Sequence, residues 1–184
     1  MLLILSGPSG AGKTTLADYL LQQIPSLQFV ATCTTRAPRN GERPGRDYNF
    51  VSPEAFEAKK QANGFIETNF YNGNWYGTPN DFVTKEKSGE AFVVVPDVNG
   101  AKEITKLVPH ATAIWITAPR KELRKRLESR GSESAQKIEG RLQRADAEER
   151  EARESGVYKH IIINSCLSSA QEELATLAKM QLST

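Results

Sequence analysis

The chain has 184 residues, of which 39% are apolar and 25% charged, and it carries a formal net charge of +2. This length and composition are typical of one globular domain with a sizeable core, and the near-neutral charge argues against a general nucleic-acid-binding surface. Because no apolar run approaches the about 20 residues of a membrane span and no secretion signal opens the chain, we expect a cytoplasmic protein without a membrane partner.

Short apolar runs alternate with amphipathic stretches along most of the chain. Buried strands of a parallel sheet are predicted at Leu2–Ser6, 92–97, 111–117 and 160–164. Helices are predicted at 13–24, 99–108, 119–130 and 168–181. This alternation indicates an α/β fold with helices on both faces of the sheet.

The loop after the first strand reads GPSGAGKTT and satisfies the pattern G-x-x-x-x-G-K-[ST]. Its glycines let successive N–H groups point inward, and the following helix turns its positive end toward the same place. Lys13 adds a full charge for the phosphates, and Thr14 offers a hydroxyl to Mg²⁺. The flanking strand and helix favour a nucleoside-triphosphate loop over a simple glycine-rich turn. The predicted ATP-binding residues here are Ser9, Gly10, Ala11, Gly12, Lys13, Thr14 and Thr15.

Two segments interrupt the alternation. Residues 30–90 are predicted as a small mixed lobe, with short strands at 48–51, 65–70 and 74–78 and a helix that starts on Pro53 and is capped by Ser52. Residues 130–156 are highly charged with alternating sign and few large apolar side chains. That pattern suits a solvent-facing helix, and a mobile flap would give the same pattern.

A basic loop opens the lobe. Arg36 and Arg39 lie three apart around a proline, and Tyr48 follows. Arginine guanidinium groups match phosphate oxygens, so the loop suits the phosphate of an acceptor. A solvated basic loop is an equally open interpretation from these residues alone.

Longer motifs resemble the guanylate kinase family. They are TTRAPRNGERPGRDYNFVS at 34–52, GFIE at 64–67, GNWYGTP at 73–79, DVNGA at 97–101, RLESRG at 126–131 and RL at 141–142. The resemblance implies a three-layer P-loop kinase fold with a core (1–31, 87–123 and 154–184), a GMP-binding lobe (32–86) and a lid (124–153). It also implies transfer of a phosphoryl group from ATP to GMP or dGMP with Mg²⁺.

The resemblance further implies roles for individual residues. The GMP phosphate would be bound by Arg36, Arg39, Tyr48 and Tyr76, with Glu42 supporting the arginines. The guanine would be read by Glu67, Thr32 and Thr78. Asp97 would lie near the acceptor and, with Thr14, near Mg²⁺. Arg130 and Arg141 would clamp the triphosphate from the lid, and Asn164 would lie near the adenine. Lys13, Arg36, Arg130, Arg141 and Asp97 would be the catalytic set.

The chemistry of guanine agrees with the role of Glu67. Guanine presents two adjacent donors, N1–H and the N2 amino group, which one carboxylate can accept together. Adenine presents an acceptor at N1, so it would leave the charge of Glu67 unpaired. A surface carboxylate on an edge strand is the alternative for this residue when the resemblance is set aside.

One position departs from the family pattern. A second acidic residue usually stands two before Asp97, and this chain has Val95 there. The departure puts the rate of phosphoryl transfer and the affinity for the metal in question.

Two other functions remain open. One is a small kinase for another acceptor such as a sugar phosphate, and the other is a non-catalytic guanylate-kinase-like binding module. The intact phosphate loop argues against the module, and Glu67 with the arginine loop argues against the other kinase.

Overall fold

The computed structural model describes residues 1–39, 41–71, 73–129 and 134–182. In chain order its elements are β1 (Leu2–Ser6), α1 (Lys13–Gln23), β2 (Leu27–Val30), β3 (Cys33–Thr34), β4 (Asn49–Phe50), α2 (Pro53–Gln61), β5 (Phe65–Tyr71), β6 (Asn74–Pro79), α3 (Asp81–Lys87), β7 (Ala91–Val94), α4 (Val98–Leu107), β8 (Thr112–Thr117), α5 (Arg120–Ser129), α6 (Ala135–Ser155), β9 (His160–Ile163) and α7 (Leu167–Leu182). Within the described ranges, none of the helices combines the length and the apolar character needed to cross a membrane.

Five parallel strands form the core sheet in the order β2-β7-β1-β8-β9. Successive side chains of a strand point to opposite faces, and β1 shows this directly. Leu3 and Leu5 pack with residues of α1, α5, α6 and α7, whereas Leu2 and Ile4 pack with residues of α3 and α4. The predicted α/β class, with a parallel sheet between two helical layers, is confirmed.

The strand predicted at 92–97 ends earlier, at Val94. Pro96 lacks an N–H group and cannot continue the ladder. Asp97 is therefore the N-cap of α4 and not the last residue of a strand as predicted. The carboxyl end of β7 still carries it to the edge of the sheet where the phosphate loop leaves β1.

A second sheet has four strands in the order β4-β3-β6-β5, in which β5 and β6 form an antiparallel hairpin. Helix α2 begins at Pro53, and the Ser52 hydroxyl accepts a hydrogen bond from the Ala55 N–H at 3.2 Å, as the sequence predicted. The Phe56 ring of α2 stacks on Phe65 with the centroids 4.6 Å apart, which fastens the helix to the hairpin. This sheet forms the body of the predicted inserted lobe.

Helix α6 differs from the prediction of a solvent-facing helix. Its charged faces are exposed, but Ile138, Leu142 and Ala145 are buried in the apolar cluster on the α1 side of the core sheet. Near its C-terminal end, the Glu149 carboxylate accepts a hydrogen bond from the Trp115 indole N–H of β8 at 2.7 Å. Both halves of α6 are thus attached to the core, although the predicted lid (124–153) includes most of the helix.

Candidate active site

The phosphate loop joins β1 to α1, and close contacts explain two of its glycines. A Cβ atom on Gly7 would lie 1.9 Å from the Ile116 carbonyl oxygen of β8, so no larger residue fits beside that strand. Gly12 caps α1 in a left-handed conformation with φ of 94°, which L side chains rarely adopt. The loop therefore requires glycine at both positions, and it leads into the start of α1, where the backbone N–H groups of a helix attract anions.

Lys13 lies across this loop. Its Nζ donates hydrogen bonds to the Gly7 carbonyl oxygen at 2.7 Å and to the Pro8 carbonyl oxygen at 3.0 Å. The positive charge is thereby held at the mouth of the loop before any ligand arrives. Thr14 and Thr15 follow on the first, exposed turn of α1.

The loop is supported from behind by two side chains. Asn164, at the end of β9, is only 2% exposed, and its Nδ2 donates to the Ala11 carbonyl oxygen at 2.8 Å. Arg126 of α5 donates to the Asn164 carbonyl oxygen at 2.7 Å and to the Gly10 carbonyl oxygen at 3.3 Å. The resemblance placed Asn164 near the adenine, and the structure shows its buried amide holding the loop. Arg126 lies in a motif used for the resemblance, yet it was not predicted as a site residue.

A cavity of about 460 Å³ opens between the phosphate loop, the second sheet and α6. It brings together eight residues predicted from the sequence, namely Ser9, Thr32, Tyr48, Glu67, Tyr76, Thr78, Asp97 and Arg141. Val95, Asn69, Arg144 and Glu148 also line it and were not predicted as site residues. The predicted residues Arg36, Arg39 and Glu42 belong to the loop beside the cavity and are not part of its described lining.

Glu42 organises this basic loop. One of its carboxylate oxygens accepts from the Arg36 guanidinium at 2.9 Å, and the other accepts from the Arg39 backbone N–H at 2.7 Å. Burial alone would raise the pKa of Glu42, but these hydrogen bonds and the arginine charges lower it below its ordinary value. Arg36 also lies 5.3 Å from the centroid of the Tyr48 ring, so its guanidinium is held between a carboxylate and an aromatic face.

The two tyrosines of the cavity contact each other edge to face, with the centroids of Tyr48 and Tyr76 6.0 Å apart. Burial raises the pKa of the Tyr48 hydroxyl, which keeps it protonated and able to donate a hydrogen bond. A phosphate between these hydroxyls and the arginine loop would meet donors on both sides.

Glu67 lies on β5 opposite Thr78 of β6. Its Oε1 accepts from the Thr78 hydroxyl at 2.7 Å and from the Thr78 N–H at 3.2 Å. Burial raises the pKa of Glu67 above its ordinary value. Within the described residues, Oε2 has no hydrogen-bond partner, so the wall of the cavity presents one carboxylate oxygen to a ligand.

Asp97 is held at both carboxylate oxygens. Oδ1 accepts from the Gly100 N–H at 2.8 Å, which caps α4, and Oδ2 accepts from the Asn69 amide of β5 at 2.9 Å. The Asn69 bond connects the second sheet to the core at the edge of the cavity. Each oxygen keeps further lone-pair capacity toward the cavity.

The described residues contain no group of three or more His, Cys, Asp or Glu side chains arranged to hold a metal ion by themselves. Such an arrangement is not required for Mg²⁺, which keeps several waters and is held by one or two carboxylates together with substrate phosphates. The Thr14 hydroxyl and the Asp97 carboxylate are hard oxygen donors of the kind that Mg²⁺ prefers.

Helix α6 lines the other side of the cavity with Arg141, Arg144, Glu148 and Glu151. These positions are spaced by three and four residues, so they share one helical face. This spacing can be read from the sequence. It would have identified Arg144 and Glu148 as further candidate site residues on the same helical face as the predicted Arg141. Arg130, the other predicted clamp residue, lies outside the described residues.

Comparison with known proteins gives a consistent result. A family model described as guanylate kinase matches residues 1–181. The chain is 38% identical to a guanylate kinase of Chlorobaculum tepidum over 95% of this chain and 90% of that protein. It is 40% identical to one of Helicobacter pylori over 97% and 86% of the two chains. The crystal structure of guanylate kinase from Anaplasma phagocytophilum superposes with a TM-score of 0.79 at 25% identity, covering 100% of this chain and 87% of that one.

Proposed function

The chain belongs to the guanylate kinase family, and from that premise we propose that it transfers the γ-phosphoryl group of ATP to GMP or dGMP, forming ADP and GDP or dGDP. The observation that carries the proposal is the Glu67–Thr78 pair in the wall of the cavity. A carboxylate oxygen and a threonine at that place match the donors of guanine and do not match the N1 acceptor of adenine.

The donor nucleotide binds at the phosphate loop. The inward N–H groups and the positive end of α1 attract the phosphates, and Lys13 supplies a full charge at the mouth of the loop. Ser9, Gly10, Ala11, Gly12, Thr14 and Thr15 complete this site. Asn164 contributes by holding the Ala11 carbonyl oxygen, and so acts on the phosphates only through the loop.

The acceptor binds in the cavity. Arg36, Arg39, Tyr48 and Tyr76 bind its phosphate, and Glu42 keeps Arg36 in place through their 2.9 Å ion pair. Asp97 lines the acceptor cavity together with Ser9 of the phosphate loop, and Arg141 lines it from α6. Arg130 is assigned to the triphosphate clamp on the family resemblance alone.

Catalysis rests on positioning and charge neutralisation, because no side chain needs to form a covalent bond to the transferred group. Mg²⁺, when bound, neutralises the triphosphate, and Thr14 and Asp97 are the residues that would hold it. The chain's own residues then fix the two substrates, bring donor and acceptor oxygens into line and exclude water. The lobe (32–86) and the part of the lid (124–153) that lies outside the core are proposed to close, because Leu127 of α5 and Ile138 and Leu142 of α6 are buried in the core cluster.

A coupled assay for ADP release tests the proposal. The purified protein is offered ATP and Mg²⁺ with GMP, dGMP, AMP, UMP or ribose 5-phosphate as the acceptor. We expect turnover with GMP and dGMP and at least about a hundredfold lower kcat/KM with the others, since a mispaired buried charge costs several kcal/mol. Comparable turnover of a sugar phosphate would establish the alternative kinase, and no turnover of any acceptor would favour a binding module.

A further inference from the structure

Four carboxylates line the cavity, and three of them already have partners. Glu67 accepts hydrogen bonds from Thr78, Asp97 accepts them from Gly100 and Asn69, and Glu151 pairs with Lys102 at 2.8 Å. Glu148 is the fourth. In the described part of the chain its carboxylate makes no hydrogen bond, although it faces the same space.

Glu148 lines the same cavity as Ser9 of the phosphate loop and Asp97 at the N-cap of α4. Burial raises its pKa, the positive charges of Lys13 and Arg144 lower it, and the negative charges of Asp97 and Glu151 raise it again. Lys13 of the phosphate loop and Asp97 at the N-cap of α4 therefore act on the Glu148 carboxylate with opposite sign. A divalent cation in this region would relieve the repulsion between the two acids.

The opposite wall lacks the acid that the family pattern usually has two residues before Asp97. Val95 lines the cavity beside Asp97, and its methyl groups also pack against the core cluster around Leu5. Among the described residues, the segment 94–99 therefore supplies a single carboxylate, that of Asp97, and both of its oxygens already accept an N–H group.

We propose that Glu148 is the second carboxylate of the reaction centre, acting from α6 in place of the acid that Val95 does not provide. It is a positioning residue, because it acts on the substrate phosphates through the hydrated cation that it shares with Asp97. Mg²⁺ sites formed with substrate phosphates use one or two carboxylates, so the pair Asp97 and Glu148 completes an ordinary donor set. The inference rests on the proposed function.

The test compares Glu148→Gln with the control Glu154→Gln, an exposed acid on the same helix that is not among the cavity-lining residues. For Glu148→Gln we expect the Mg²⁺ concentration for half-maximal turnover to rise about tenfold, the low end of the loss seen for residues that support a metal. KM for GMP should stay within about twofold, because the guanine and phosphate contacts are elsewhere. The control should match the parent in both respects.

A binding measurement separates this role from a loss of activity of any other origin. Calorimetric titration with ADP should show that Mg²⁺ strengthens binding less in Glu148→Gln than in the control, while the two variants bind ADP equally in EDTA. Glu148→Ala, which also removes the amide, should give the same result. If both Glu148→Gln and Glu148→Ala bind ADP more weakly than the control in EDTA, Glu148 acts by positioning Lys13 and not through Mg²⁺. That result would overturn the proposal.

A second carboxylate on the opposite wall provides the decisive comparison. Val95→Asp in the Glu148→Gln background should restore most of the Mg²⁺ affinity, whereas in the parent it should change it little. An unchanged Mg²⁺ requirement in Glu148→Gln, or the absence of any rescue, overturns the proposal. Failure of the parent itself to phosphorylate GMP would instead overturn the proposed function, so the two failures are distinguishable.

Discussion

Replacing Glu67 with glutamine should separate recognition of guanine from binding of ATP. The structure fixes which way the new amide points. Thr78 donates twice to Oε1, so the glutamine side chain would keep its carbonyl oxygen at that position and turn its NH₂ group toward the cavity. One guanine donor would then face another donor, and the charge that strengthened the remaining hydrogen bond would be gone.

The expected loss follows from that geometry. A hydrogen bond to a charged group contributes about 1.5–3 kcal/mol, and the upper end applies because burial leaves the guanine donor without water as a substitute. At about 1.4 kcal/mol per factor of ten, kcat/KM for GMP should fall by roughly a hundredfold. AMP and inosine monophosphate should become better acceptors relative to GMP, since neither has an N2 amino group.

The assay measures kcat/KM with GMP, AMP and inosine monophosphate, together with the affinity for ATP in the absence of an acceptor. Glu57→Gln is the matched control, because Glu57 is an exposed acid on α2 in the same lobe. ATP affinity should be unchanged in both variants. A Glu67→Gln enzyme that phosphorylates GMP as well as the parent does would refute the assignment of Glu67 to the base.

Four further predictions follow from the same contacts. Lys13→Ala should lower kcat by at least about a hundredfold without unfolding the protein, because its ammonium contributes charge at the loop; circular dichroism and turnover check this. Arg36→Ala and Arg39→Ala should raise KM for GMP more than KM for ATP, by about 1.5–3 kcal/mol for each lost charged hydrogen bond, and equal effects on both substrates would contradict the division of sites. Val95→Asp should leave turnover equal or higher and lower Tm, since the side chain meets both the cavity and the core; a large loss of Tm together with a loss of turnover would mean that the new carboxylate is buried in the core. Burial raises the pKa of Glu67 in the folded protein above its unfolded value. The parent should therefore lose stability relative to Glu67→Gln as pH rises through the interval between these two pKa values. Thermal unfolding of both proteins from acidic to neutral pH measures this difference.

The sequence predicted best where one local signal decided the structure. The apolar run before the phosphate loop, the Ser52 cap and the alternation of strands and helices each depend on neighbouring residues. Short elements such as β3 (Cys33–Thr34) were missed because two residues show no periodicity, and their pairing depends on distant strands. The end of β7 was placed too late because apolar character continued to Val95 while Pro96 had already stopped the ladder.

Within the candidate site, the resemblance to guanylate kinases predicted the residues that are proposed to contact a ligand. The structure added further residues, whose contacts hold the ligand-contacting residues in place. Nothing local in the sequence indicates that Asn69 reaches Asp97, because the bond joins the second sheet to the start of α4. Nor does any local signal show that the Asn164 amide is buried against the phosphate loop, since that contact depends on how β9 joins the sheet. The spacing of Arg141, Arg144 and Glu148 in the sequence already places them on one face of a helix. The alternating charges of α6, however, favoured the interpretation that this face is solvated.

The support of the phosphate loop from behind has a consequence for the order of folding. Asn164 and Ala11 are 153 positions apart, and Arg126 and Gly10 are 116 positions apart. Contacts this distant in sequence form slowly because long segments of chain must be ordered first. The loop itself is short and contiguous, yet its anion-binding shape depends on β9 having joined β8 and on α5 having docked. During refolding, the recovery of nucleotide binding should therefore lag behind the recovery of helical signal, and bound nucleotide would report the completed core.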